Sequence, residues 1–278
     1  MLLRVSLETP VVPVIFRHRL SDIIKYYADA GAVATAVPHS ENAAKFFTFN
    51  LAFSRDYSQK GRITLAEGHD VYDTIFLVPQ GNESKLYISN PDETFIRNLA
   101  AGIDSAESLK LSINDQMFVD GRELDYPVKE VSLLSKPPEQ DNSSEILLHT
   151  HSPMLLESGK KNKPIIPDIE DSASTITVSN EQYSERLEII SSLRIFSFTG
   201  RYPRKSLIFE PVNMRKTVIK HTLERFRNKT GKSLMMLTGV TGTFKMKGDM
   251  EDIQLLTEMG FGIRTTQGFG MAGAARGA

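Results

Sequence analysis

The stretch Asp249-Met-Glu-Asp-Ile253-Gln-Leu-Leu256-Thr-Glu-Met259-Gly260-Phe-Gly262-Ile-Arg264-Thr-Thr-Gln-Gly268-Phe-Gly270-Met271 decides how this chain is read. Met250, Ile253, Leu256 and Met259 recur at helical spacing, which makes its first half a short amphipathic helix. Four glycines and an arginine then separate that helix from a final strand. Glycine costs about 0.5–1 kcal/mol in regular structure relative to alanine, so this density marks backbone that turns or admits a close neighbour. Successive N–H groups in such a loop form an anion-binding concavity, and phosphate is its usual visitor.

Upstream of the helix, residues 233–246 form a long hairpin-like run containing Gly239 and Gly242, and 206–209 and 217–223 read as strands. Residues 182–196 read as a helix carrying Leu187, Ile190 and Leu193, and 146–156 as a strand. The order is β-α-β-β-α-β, with the glycine loop joining the second helix to the last strand. This is the ferredoxin-like pattern, shared by the RNA-recognition fold. The first half reads the same way. An alternating strand at 2–7 precedes Leu20, Ile23, Ile24 and Tyr27 at i, i+3, i+4, i+7, the apolar stripe of a helix. Strand-like runs follow at 46–53, 74–79 and 85–89. A second helix opens after Asn90-Pro91-Asp92 with Phe95, Ile96 and Leu99, and strands return at 109–113 and 116–119. The expected fold is therefore α+β: two tandem ferredoxin-like (RRM-like, βαββαβ) domains packed side by side. They span 1–135 and 145–278 and are joined by the polar linker Lys136-Pro-Pro-Glu-Gln-Asp-Asn-Ser-Ser144. No sequence repeat underlies the duplication.

Composition excludes several classes. At 278 residues two domains are the natural expectation, and an apolar share of 40% is enough for packed cores. The N-terminal Met1-Leu-Leu-Arg4-Val-Ser-Leu-Glu8 breaks its apolar run with charges too early for a signal peptide, and no run approaches the about 20 apolar residues of a membrane span. Cysteine is absent, which removes disulfides, thiolate metal sites and cysteine nucleophiles and fits a reducing cytoplasm. The net charge of −1 conceals a polarised chain. Arg194 to Lys247 holds thirteen Lys or Arg against Glu210 and Glu224, a charge of +11 that leaves −12 for the remainder. Such asymmetry points to a polyanionic partner rather than to a merely solvated face.

Gly-apolar-Gly, five residues, Gly-apolar-Gly resembles the glycine-rich signature of the RAMP proteins of CRISPR systems, and Gly260 to Gly270 fits it at every glycine. Further residues resemble the repeat-cleaving branch, the Cas-six endoribonucleases. They are Ser152-Pro153 in an early strand of the second half, Gly242-Thr-Phe-Lys-Met-Lys-Gly248 before the last helix, and His39 six residues ahead of Lys45, just before Phe46-Phe47-Thr48-Phe49. The resemblance implies a metal-independent cut in the CRISPR repeat of a precursor RNA that releases guide RNAs, with no cofactor. It implies the repeat RNA as partner, a CRISPR effector complex as a further one, and a monomer or homodimer. The other reading it allows is a non-catalytic RAMP subunit that holds guide RNA in such a complex.

Metal-free RNA cleavage uses the 2′-hydroxyl beside the scissile phosphate as nucleophile and leaves a 2′,3′-cyclic phosphate and a 5′-hydroxyl. It needs a base, an acid and a cation for the phosphorane. His39 is the candidate for proton transfer, as acid or base, because imidazole titrates nearest neutrality. Lys45 is the candidate cation. The resemblance implies a tyrosine on the first helix, where Tyr26 and Tyr27 both qualify; Tyr27 shares the apolar stripe, which favours Tyr26. Candidate RNA-binding residues are Gly260, Gly262, Arg264, Gly268 and Gly270 of the loop and Arg201, Arg204, Lys205 and Lys232 of the basic segment.

Duller readings compete with these. The glycines would also let the last strand pass close beneath a neighbouring element; a dinucleotide fingerprint has different spacing and follows a first strand. His18, His69, His149, His151 and His221 form no pattern except His149 and His151 at i, i+2, a metal pair without a third ligand. Asp70 and Asp73, or Asp168, Glu170 and Asp171, sit in loop-like stretches without a matching histidine, so two-metal chemistry is not expected. Phe47 and Phe49 alternate as base-stacking aromatics of an RNA-recognition domain would, or as core residues.

Overall fold

The computed structural model describes residues 1–65, 69–112, 117–135, 145–159, 163–169 and 176–275. The expected linker 136–144, the strand positions 113 and 116, and Glu170 and Asp171 lie outside the described residues.

The first half contains β1 (Leu2–Leu7), β2 (Val11–Pro13), α1 (Arg17–Thr35), a 3₁₀ turn (Ala43–Lys45), β3 (Thr48–Ala52), β4 (Tyr57–Leu65), β5 (Asp70–Leu77), β6 (Ser84–Ser89), α2 (Glu93–Asp104), β7 (Ser108–Lys110), β8 (Met117–Val119), β9 (Arg122–Glu123) and β10 (Asp125–Leu134). Its main sheet has the order β3-β6-β1-β10-β7, so β1-α1-β3-β6-α2-β10 is the expected βαββαβ unit. β1 lies centrally, Val5 pairing with Val131 on one side and Leu86 on the other, and Leu3, Val5 and Leu7 are buried. α1 packs Leu20, Ile23, Ile24 and Tyr27 onto this sheet, and α2 packs Phe95, Ile96, Leu99 and Ile103. Asp92 caps α2 by accepting from the Phe95 amide at 3.1 Å.

A second sheet, β2-β5-β4-β8-β9, was not expected. The run at 74–79 belongs to it through β5, and the strand that closes the ferredoxin-like unit is β10 rather than the runs at 109–119. Asp70 and Asp73 accordingly stand on a strand, not in a loop.

The second half contains β11 (Glu145–Thr150), α3 (Asn180–Thr199), β12 (Ile208–His221), α4 (Glu224–Thr230), β13 (Met235–Lys247), α5 (Met250–Met259) and β14 (Ala272–Ala274), with sheet order β12-β13-β11-β14. It is again βαββαβ. α3 opens on a full capping box, Ser179 with Gln182. The two strands expected at 206–209 and 217–223 are one long strand whose register shifts at Pro211, a residue with no amide to give to the ladder.

The two units meet along β3, α1, β5 and β12. Phe46 belongs to the core of the second unit and stacks edge-on against Phe198. Lys220 of β12 donates to both carboxylate oxygens of Asp73 at 2.7 Å.

Candidate functional site

Pro38 ends α1. Ala36 takes a left-handed conformation (φ 54°), and Asn98 of α2 fastens the exit, accepting from Thr35 Oγ1 (2.9 Å) and donating to the Val37 carbonyl (2.8 Å). This places His39 against α2. Its ring stacks edge-on against Phe95 at 5.2 Å, its Nδ1 lies 3.4 Å from Asn98 Nδ2, and its Nε2 lies 3.6 Å from the exposed carboxylate of Asp29 on α1. The side chain is 10% exposed, so the imidazole is held at the surface rather than loose in solvent. An adjacent carboxylate orients an imidazole.

Lys45 ends the 3₁₀ turn. Its ammonium donates to Asn42 Oδ1 at 2.8 Å, and the side chain lines a shallow groove of about 600 Å³ with Phe46 and with Ile190, Leu193 and Arg194 of α3. Tyr26 is 47% exposed and packs edge-on against Tyr27, whose hydroxyl is tied to the Ser108 carbonyl at 3.0 Å. Burial raises the Tyr27 pKa, and the residue is core, as its place in the stripe implied. Thus His39, Lys45 and Tyr26 each have a different set of neighbours. No spacing or motif marked Asp29 or Asn98 as partners of His39.

All four loop glycines have positive φ, between 71° and 86°. At Gly270 a Cβ would stand 1.9 Å from the Phe261 carbonyl oxygen, and at Gly262 2.3 Å from that of Leu155. The loop is folded back on itself and pinned. The Phe261 amide donates to the Gly270 carbonyl, that of Ile263 to Leu155, that of Gly270 to Pro153, and that of Met271 to Ser152 Oγ. Close backbone approach thus accounts for Gly262 and Gly270 and close side chains for Gly260 and Gly268, and Ser152-Pro153 is the post to which the loop is tied. In the polar tip Thr265 is buried and Arg264, Thr266 and Gln267 are half-buried.

The basic segment divides in two. Arg194 is half-buried, donates to the Met259 carbonyl (2.8 Å) and Thr265 Oγ1 (3.0 Å), and has its pKa lowered to about 10 by loss of solvent around its guanidinium. Arg201 pairs with Asp252, Arg204 with Asp249 and Glu251, Lys220 with Asp73, Lys245 with Glu145, and Lys247 with Glu145 and Glu210. Most of these carboxylates lie outside 194–247, so part of the polarisation along the chain is neutralised by folding. Lys205, Arg215, Lys216, Arg225, Lys229 and Lys232 are exposed.

Phe47 and Phe49 are fully buried, which removes the base-stacking reading. His149 accepts from or donates to Thr243 Oγ1 at 3.0 Å, and no group of three His, Asp or Glu side chains is placed to hold a metal among the described residues. None of the described helices is long and apolar enough to cross a membrane.

A family described as CRISPR associated protein Cas6, C-terminal, matches residues 135–273, half of the chain. The chain belongs to this family. A Methanocaldococcus jannaschii protein named CRISPR-associated endoribonuclease Cas6 1 is 26% identical over 239 residues, covering 84% of this chain and 75% of the relative. Among solved structures, one characterised from a Cas6-related gene of Pyrococcus furiosus superposes over all of this chain and 99% of its own with a TM-score of 0.66 at 19% identity. Another, titled as an RAMP protein binding different RNA substrates, covers 99% of this chain and 100% of its own with a TM-score of 0.65 at 19% identity. A third, titled CRISPR associated protein Cas6, gives 0.63 at 21% identity, with 99% of each chain covered. These structural likenesses establish the double ferredoxin-like fold of the Cas6 and RAMP proteins.

Proposed function

We propose that this chain is an endoribonuclease that cuts the CRISPR repeat of precursor RNA into guide RNAs. The observation that carries this reading is membership in the Cas6 family together with a likeness to a named Cas6 endoribonuclease over 84% of the chain. The unit spanning 1–135 carries the chemistry, and the unit spanning 145–278 holds the RNA.

The 2′-hydroxyl beside the scissile phosphate is the nucleophile, and no metal enters the reaction. The O2′–P bond forms as the P–O5′ bond breaks, which leaves a 2′,3′-cyclic phosphate and a 5′-hydroxyl. His39 moves the proton, with Asp29 opposite its Nε2 to orient the ring. Lys45 meets the charge of the phosphorane from the groove below α3, and Tyr26 offers its exposed hydroxyl. Exposed cations of the basic segment, Lys205 and Lys232 among them, and the loop tip at Arg264 bind the RNA backbone.

The test is incubation of the purified protein with its cognate repeat RNA in excess EDTA, followed by end-group analysis. A single cut with a 2′,3′-cyclic end supports the reading. Binding without any cut favours the non-catalytic RAMP subunit, and a cut that requires a divalent ion overturns the metal-free chemistry.

A further inference from the structure

α1 and α2 cross at Gly31 and Gly102. A Cβ at Gly31 would stand 1.8 Å from the Asn98 carbonyl oxygen, and one at Gly102 2.1 Å from that of Tyr27, so neither position admits a side chain. This close crossing brings the buried Asn98 side chain within reach of the chain that leaves α1. Phe95, Asn98 and Gly102 fall at i, i+3 and i+7 on one stripe of α2, and the first two are residues against which the His39 ring rests.

The contacts of the Asn98 amide fix which way it points. The Val37 carbonyl can only accept, so the amide atom 2.8 Å from it is Nδ2, and Oδ1 takes the Thr35 hydroxyl at 2.9 Å. Nδ2 has a second hydrogen, and His39 Nδ1 lies 3.4 Å from it. A ring nitrogen that faces a donor offers its lone pair, so the neutral imidazole carries its hydrogen on Nε2. Nε2 is turned towards the Asp29 carboxylate, 3.6 Å away, whose side chain is 76% exposed. One nitrogen of His39 is therefore covered by a buried amide, and the other faces the open side of α1.

We propose that Asn98 is a positioning residue for the cut: its amide holds His39 Nδ1 as an acceptor, so that Nε2 is the nitrogen that meets the RNA and meets it bearing a hydrogen. The crossing at Gly31 and Gly102 sets the amide at the distance this requires, because any side chain at either glycine would push α2 away from the end of α1. The proposal rests on the endoribonuclease reading and on the role given there to His39. It adds a residue that touches no substrate and acts through the ring alone.

The test combines nitrogen NMR of histidine-labelled protein with single-turnover cutting of RNA carrying the host array's repeat. In the unaltered protein with the ring neutral, His39 Nδ1 should resonate as a bare nitrogen and Nε2 as an N–H. Asn98→Asp keeps the volume and the acceptor for Thr35 but puts an acceptor where the donor faced His39. Nδ1 should then carry a hydrogen, and cutting should slow by about tenfold to a hundredfold with RNA affinity unchanged. Thr35→Val removes a bond to the same amide without touching His39, and should leave the nitrogen signals and the rate as they are. An Nδ1 that carries hydrogen in the unaltered protein, or stays bare in Asn98→Asp, overturns the proposal; so does a full rate in Asn98→Asp or an equal loss in Thr35→Val. If Asn98→Asp does not fold, the unaltered protein decides: a wholly bare Nδ1 supports the proposal, and a mixture of the two tautomers overturns it. Where the unaltered protein cuts and His39→Ala is slow, these failures remove the role of Asn98 alone. An unaltered protein that does not cut repeat RNA, or a His39→Ala protein that cuts at full rate, removes the reading on which that role rests.

Discussion

Thr48 Oγ1 of β3 donates to the carbonyl oxygen of Phe269 across 3.0 Å in a buried setting, which fastens the glycine-rich loop of one ferredoxin-like unit to the edge strand of the other. β3 follows directly on the turn that carries Lys45, so the loop and the candidate catalytic segment share one support. Gly268 adds to this contact, since a Cβ there would meet the Phe49 ring at 2.7 Å.

The first expectation separates backbone freedom from close approach. Gly121 (φ 78°) has open space where a Cβ would stand, so Gly121→Ala should cost about 1–2 kcal/mol, the strain of a left-handed alanine alone. Gly270→Ala adds overlap with the Phe261 carbonyl and should cost at least about 3 kcal/mol. Urea unfolding of the two variants checks the difference; equal costs would mean that the loop is not tightly folded.

The second concerns pH. Burial alone would raise the Asp73 carboxyl, but hydrogen bonds from Lys220, the Thr74 amide and Lys60 outweigh it, and the pKa lies below the ordinary carboxylate value of 3.8. A depressed carboxyl adds stability that is fully present above its unfolded pKa and is lost as pH falls through its folded pKa. Lys220→Ala should therefore cost about 1–3 kcal/mol at pH 7 and much less once pH falls below the folded Asp73 pKa. Thermal unfolding across that range reads the effect; a cost independent of pH would rule out the ion pair as its source.

The third sorts the cations. Arg194→Met loses two partly buried hydrogen bonds and should cost about 2 kcal/mol of stability while leaving the salt slope of RNA binding unchanged. Reversing Lys205 and Lys232, both exposed, should leave stability within about 0.5 kcal/mol and flatten the salt slope. The opposite pattern would mean that Arg194, not the exposed cations, meets the phosphates.

The fourth addresses the cleaving residues. His39→Ala should slow cutting by about 10²–10⁴-fold with RNA affinity retained. Tyr27→Phe should cost about 1 kcal/mol of stability through the lost bond to Ser108 and leave the rate alone, whereas Tyr26→Phe should slow the cut and leave stability alone. Single-turnover rates beside unfolding midpoints decide, and full activity in His39→Ala would remove its assignment.

What the sequence disclosed follows from where apolar side chains fall. α5, α2 and β1 bury regular faces and were legible. β4 and β10 were not, because Tyr57 to Lys60 are solvent-facing and Asp125–Leu134 is mostly half-buried or exposed, so neither strand alternates along its whole length. The second sheet of the first unit was missed for that reason. Around the site, His39 and Lys45 were singled out by resemblance. Their partners Asp29, Asn98 and Asn42 were not, since they are brought there by the end of α1, by α2 and by a 3₁₀ turn.

The most direct test of the proposed chemistry is the rate at which the unaltered protein cuts repeat RNA carrying a single 2′-deoxy nucleotide immediately 5′ to the scissile phosphate. No cleavage at that bond, with affinity close to that of the all-ribose strand, is the expected result. Cleavage that persists there would contradict attack by the 2′-hydroxyl and, with it, the roles given to His39, Lys45 and Tyr26.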